Sequence, residues 1–239
     1  MTRDLLLISS SKTHGTGYLD HCEGQIRDIL SGRMNALFIP YARPGGINFE
    51  EYTNVARQRF HKMEFGLNGI HEFNSPRKAV ENAEAIFVGG GNTFVLLKSI
   101  YEMGIMPSIR DKVKTGIPYI GTSAGSNVAG KTIMTTNDMP IASPSSFDAL
   151  GLVPFVINPH YLDSDPNSTH MGETRETRIK EYHAFNDDKV VALREGAMLR
   201  VAGDKMIVVG NNGARVFIKG QDPKEYNTPE SLDFLLRPN

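Results

Sequence analysis

Cysteine occurs once in the 239 residues, at Cys22. That excludes an intramolecular disulfide and favours a reducing compartment. Net charge is nearly absent too, 26 basic residues against 27 acidic ones giving −1. Such a balance supplies no long-range field for a nucleic acid or an anionic membrane. Long apolar runs are missing: the opening MTRDLLLISSSK carries only Leu5 to Ile8, too short for a signal-peptide core or a membrane span. The expectation is a cytoplasmic protein. Repeats, low-complexity segments and long linkers are also lacking, so the chain reads as a single domain over 1–239 with a short polar tail from about 221. With 40% hydrophobic and 22% charged residues, it can bury a sizeable core without staples.

Short apolar runs alternate with helical segments. DLLLIS (Asp4 to Ser9), ALFIP (Ala36 to Pro40), AEAIFVGGG (Ala83 to Gly91) and IPYIGTSAG (Ile117 to Gly125) read as strands, with GLNGIHEF (Gly66 to Phe73) as a further one. Helices are expected at about 17–30, around 49–65 and after Gly91. Continuous apolar strands separated by helices predict an α/β fold with a mainly parallel sheet. After Gly130 come a loop-rich stretch, a strand ending at His160, a polar loop and a helix. KVVALREGAMLRVAGDKMIVVGNNGARVFIKG then predicts antiparallel hairpins on the sheet edge. SLDFLL near the end suggests a short terminal helix. Cys22, inside an expected helix, reads as a buried bystander thiol.

Chemistry concentrates at strand ends. Gly121 to Asn127 spell GTSAGSN, which contains G-x-S-x-G after a strand and before a helix start. That is the context of a nucleophile elbow, and equally of a strand-to-helix turn with a capping serine. Gly89, Gly90 and Gly91 end the preceding strand. If the two strands are neighbours, the N–H groups of Gly91 and Ala124 form an oxyanion hole beside Ser123. GGGNTF lacks the third glycine of a dinucleotide fingerprint and the lysine of a P-loop, which disfavours a nucleotide site. Among seven histidines, His160 in INPH sits just past an apolar strand. His170 lies in a polar loop, and His183 reads as a surface residue late in a charged helix. For the acid, Asp138, Asp148, Asp163, Glu173 and Glu195 are candidates. Chain order Ser, His, Glu fits the residues better than the α/β-hydrolase order.

Taken together, FVGGGNTF, YIGTSAGSN, TTNDMPI, FDALGL, INPH, GETRETRI, LREG and GNNGARVF resemble, in this order, the peptidase E (aspartyl dipeptidase) family of serine peptidases. The resemblance spans roughly residues 4–220. It implies a three-layer sandwich similar to class I glutamine amidotransferase domains (flavodoxin-like). It implies a Ser123, His160, Glu195 triad, Gly91 and Ala124 as oxyanion donors, and hydrolysis of Asp-X dipeptides without metal or cofactor. It suggests Arg175 as the partner of the substrate's aspartate side chain. Exposed-helix ion pairs are the alternative for Arg175 and Arg178. Asn92 is read as a substrate contact or as a helix N-cap. Asp138 is read as the rival third triad member or as a site for the substrate amine. A peptide is the expected small-molecule partner of a monomer or homodimer, with no nucleic acid or membrane. A cyanophycinase-like peptidase and a non-catalytic binding protein on the same scaffold are the rival readings. Serine at the elbow disfavours a glutamine amidotransferase. Ser164 to Gly172 is a candidate mobile loop.

Overall fold

A computed structural model describes residues 3–165, 167, 169 and 171–237. The apolar runs form β1 (Asp4–Ile8), β2 (Asn35–Ile39), β3 (Gly66–Gly69), β4 (Ile86–Val88) and β5 (Tyr119–Thr122). They lie parallel in the order β3-β2-β4-β5-β1. Both faces are covered, because alternate residues of each strand point to opposite sides. Leu6, Ile8, Phe38 and Phe87 pack with α1 (Glu23–Ile29) and α2 (Phe49–Lys62). Leu5, Leu7, Ile39 and Val88 pack with α3 (Pro76–Asn82), α4 (Thr93–Glu102) and α5 (Met106–Lys114). Each fully buried Leu, Ile or Phe contributes about 1.5–3 kcal/mol. The result is the expected mostly parallel sheet between two helical layers.

Local chemistry sets the element ends. Asn48 accepts from Glu51 N at 2.8 Å and Glu51 returns a bond to Asn48 N at 2.8 Å, starting α2. Tyr52, Ala56 and Phe60, four apart, then form its buried face. The strand expected over 66–73 stops at Gly69, where Glu72 accepts the Gly69 N–H and closes a 3₁₀ turn. The first helix starts later than expected, because Asp20 ties back Gly17 N and Leu19 turns with φ 60°.

The second half departs further. α6 (Ala124–Asn127) follows β5, then β6 (Val156–Tyr161), α7 (Arg175–Phe185), β7 (Val190–Arg194), β8 (Ala197–Ala202), β9 (Lys205–Gly210), β10 (Ala214–Phe217) and β11 (Lys224–Tyr226). Only β8 and β9 extend the first sheet, antiparallel, beyond β1. The others form a second sheet, β11-β10-β7-β6, in which β6 and β7 run parallel. Consecutive strands β7 and β8 thus belong to different sheets, separated by the turn Glu195-Gly196, with Gly196 at φ 83°. Val191 and Leu193 of β7 face the main core, while Val190 and Ala192 face α7. The polar tail is also ordered: it supplies β11 and a 3₁₀ turn, and buries Leu232, Leu235 and Leu236 in the main core. No helix of the described residues is long and apolar enough to cross a membrane.

Candidate active site

Ser123 stands between β5 and α6 with φ 52° and ψ −111°. A non-glycine residue held there costs on the order of 1–3 kcal/mol and persists only when its surroundings fix it. Ser123 N donates to Ile8 O at 2.9 Å, and Ser126 Oγ donates towards Ile8 O and Gly121 O at 2.7 and 2.8 Å. A Cβ on Gly125 would lie 2.3 Å from Val88 O, so the turn closes only with glycine there.

His160 falls where the β6–β7 register breaks, between Asn158 and Tyr161, and has φ 54°. Its Nε2 is 2.8 Å from Ser123 Oγ and its Nδ1 is 2.9 Å from Glu195 Oε1. An ionised carboxylate only accepts, so Glu195 places the ring proton on Nδ1 and leaves Nε2 to accept from the serine hydroxyl. The Glu195 turn is held by Asn212, whose Nδ2 donates to Glu195 O at 2.8 Å. Both side chains are partly open to solvent, 40% for His160 and 59% for Glu195.

The glycine turn after β4 lies against this serine. β4 pairs with β5, and a Cβ on Gly90 would meet Ser123 Cβ at 3.0 Å. Gly91 has φ 148°, and its own Cβ would lie 2.1 Å from Ala42 O. Tyr52 OH receives the Gly90 N–H at 3.1 Å, and Asn92 N donates to Ala42 O at 2.6 Å. Among the described residues, neither Gly91 N nor Ala124 N donates to a protein acceptor. Two N–H groups are therefore unspent, one in the residue after Ser123 and one in the residue after Gly90.

Arg175 opens α7 and donates from Nη1 to Asn137 Oδ1 at 2.8 Å. Asn137 in turn donates to Pro159 O at 3.1 Å, the residue before His160. Burial holds the Arg175 guanidinium below its ordinary pKa; Arg178 adds to this and Asp138 opposes it. Arg175 and Asn137 line two clefts, of about 400 and 470 Å³.

The remaining candidates fall elsewhere. Asp138 Oδ2 accepts from Thr93 N and Oγ1 at 2.7 and 2.6 Å and from Thr136 Oγ1 at 3.2 Å, and makes no bond to His160. Asn92 is the N-cap of α4: Oδ1 accepts from Val95 N, and Nδ2 donates to Met139 O. Asp163 pairs with Arg194, and Glu173 with Arg178. His183 is buried rather than on the surface, with Nε2 2.9 Å from Asp188 O. His170 lies outside the described residues, as does part of the 164–172 loop. Cys22 is buried, which pushes its thiol up to about 12. Tyr52 and Asn137 escaped the sequence reading, because nothing local to either marks its partner. Among the described residues, Glu50, His71 and Glu72 have metal-like spacing, but Arg57 already pairs with both carboxylates.

Comparison with known proteins gives this geometry a context. A Drosophila melanogaster protein named "Probable alpha-aspartyl dipeptidase" is 46% identical over 238 residues, 98% of each chain. "Peptidase E" of Streptomyces coelicolor is 44% identical over 233 residues, 98% of this chain and 95% of its own. The crystal structure of a peptidase from an acI-B1 actinobacterium matches 97% of both chains with a TM-score of 0.72, at 18% identity. The model of peptidase family S51 matches residues 5–209. That match begins one residue into β1 and ends one residue short of the end of β9. Because that model covers well over half of its length, the chain belongs to peptidase family S51.

Proposed function

We propose that this protein is a serine dipeptidase that removes an N-terminal aspartate from Asp-X dipeptides. The observation that carries the reading is one imidazole bonded to Ser123 Oγ at 2.8 Å and to Glu195 at 2.9 Å. The names of its relatives, alpha-aspartyl dipeptidase and peptidase E, point the same way. Ser123 Oγ attacks the aspartyl carbonyl carbon while His160 Nε2 takes the hydroxyl proton. Gly91 and Ala124 N–H groups receive the developing oxyanion. His160 returns the proton to the leaving amine, and the C–N bond breaks to leave an acyl-enzyme. Water repeats the sequence and frees aspartate. Glu195 holds the imidazole's tautomer and stabilises its cation. Serine, imidazole and water account for every proton and electron pair.

Arg175 takes the substrate's side-chain carboxylate, for which a planar guanidinium is the best-matched cation. Asp138 keeps Oδ1 free of protein donors among the described residues and takes the α-ammonium. Asn92 shapes the oxyanion turn through its cap. The chain works as a single domain, since the triad draws on both sheets. Its lone, buried cysteine suits the cytoplasm.

The test compares Asp-Leu, Glu-Leu and Ala-Leu. Cleavage confined to Asp-Leu is expected; equal cleavage of all three, or of none, sinks the specificity. Ser123→Ala should lower kcat on the order of 10^4–10^6-fold, and retained turnover would exclude the triad.

A further inference from the structure

We infer that Ser9 is a positioning residue for His160, an inference that rests on the triad reading above. The β6–β7 ladder breaks between Asn158 and Tyr161. Asn158 pairs with Ala192 and Tyr161 with Arg194, so Pro159 and His160 together oppose Leu193 alone. This is a β-bulge, which re-aims a side chain and leaves ladder groups unpaired. Proline has no N–H, so His160 N is the bulge's donor and Leu193 O the acceptor opposite. The wholly buried Ser9 hydroxyl fills the gap between them. It accepts from His160 N at 2.9 Å and donates to Leu193 O at 2.9 Å.

The neighbours of Ser9 extend the pattern. Ile8 O accepts from Ser123 N at 2.9 Å, and Ser10 Oγ accepts from Gly196 N at 3.3 Å. Three consecutive residues at the end of β1 thus reach the main chain of Ser123, of His160, and on both sides of Glu195. Ser9 has the decisive place, because His160 sits at φ 54° and needs its N–H anchored to keep that conformation. Without the hydroxyl, the bulge relaxes and the ring leaves the line between Ser123 and Glu195. An error of about 1 Å at such a group lowers turnover by about 10^2.

The experiment measures Ser9→Ala and Ser9→Cys beside wild type and Ile109→Val, a core variant in α5 that controls for lost stability. Cysteine keeps the side-chain size with only a weak donor and acceptor, so the test does not depend on the alanine variant folding. The first readout is the rate at which a fluorophosphonate labels Ser123, which needs His160 as base but no substrate recognition. The second is kcat and KM for Asp-Leu. Labelling and kcat are expected to fall about ten- to a hundredfold in the folded Ser9 variants, with KM within about twofold and Ile109→Val unaffected. A folded Ser9 variant that labels at the wild-type rate overturns the inference. Wild type that labels but leaves Asp-Leu intact refutes the substrate while labelling still decides Ser9. Wild type that does not label refutes the triad and the role of Ser9 with it.

Discussion

Replacing Arg175 separates recognition of charge from chemistry. Its guanidinium is partly buried, bonded through Nη1 to Asn137, and free of any carboxylate within ion-pair distance among the described residues. On the proposed reading it meets the substrate already oriented and unpaired, with Asp138 acting on it only from beyond that distance. Removing one partner of a desolvated, hydrogen-bonded charge pair costs about 2–5 kcal/mol. Part of the site is open to solvent, so the lower half of that range applies, about 2–3.5 kcal/mol. At 1.4 kcal/mol per decade, kcat/KM for Asp-Leu should fall roughly 30- to 300-fold in Arg175→Ala. The neutral isostere Asn-Leu never forms the pair, so its kcat/KM should stay within about threefold. Arg175→Lys should fall between them, because an ammonium cannot hold Asn137 and a carboxylate in one plane. The assay is the ratio of kcat/KM for the two dipeptides in each variant. An equal fall for both substrates would mean that Arg175 supports the fold of the site and does not read charge.

The oxyanion turn and the flanking ion pair give two more outcomes. Gly91→Ala puts a Cβ 2.1 Å from Ala42 O, so the turn must move and its N–H with it; kcat should fall about 10^2–10^3-fold, and unchanged kcat would remove Gly91 from the oxyanion hole. The Arg194 guanidinium bonded to Asp163 holds that carboxyl below its ordinary 3.8; its stabilisation is present above 3.8 and lost as pH falls through the lower folded-state value. Asp163→Asn should thus melt below wild type near neutral pH, and the gap in Tm should close under acid conditions; a gap constant with pH would contradict the linkage.

Where a proposed role follows from a strand's end, the position was legible in the sequence. Ser123, Gly91, His160 and Glu195 each stand where an apolar run stops at small or turn-forming residues, a pattern that local backbone rules dictate. The sheet to which each strand belongs followed no such rule. Val190 to Leu193 is apolar throughout, and that suits a buried strand of either sheet. His183 looked superficial because its helix is charged, yet it is buried with Ile179 and Tyr182, which pack with Val156 of β6 and Val190 of β7. Ser9 and Asn137 were invisible for a different reason. A hydroxyl that meets its partner 151 residues away has no local signature. Asn137 reads as an ordinary loop amide until Arg175 and Pro159 converge on it.

The division into two sheets also explains the chain order of the proposed triad. Ser123 follows β5, a strand of the large sheet, whereas His160 belongs to β6 of the small one. The acid must come from the strand beside β6, and that strand is β7, reached only after α7 has crossed back. Glu195 lies just past its end, at the turn that returns the chain to the large sheet, so the order Ser, His, Glu follows from the topology. The same layout puts the proposed reacting groups on a seam. Ser123 at φ 52° and His160 at φ 54° are both held in costly backbone conformations, each on the order of 1–3 kcal/mol. The two residues adjoin strands of different sheets, and the end of β1 bonds to both, through Ile8 and Ser9. The residues proposed to perform chemistry are thus held in backbone conformations they do not favour, and on that reading the geometry of the triad depends on a strand that contributes no reacting group.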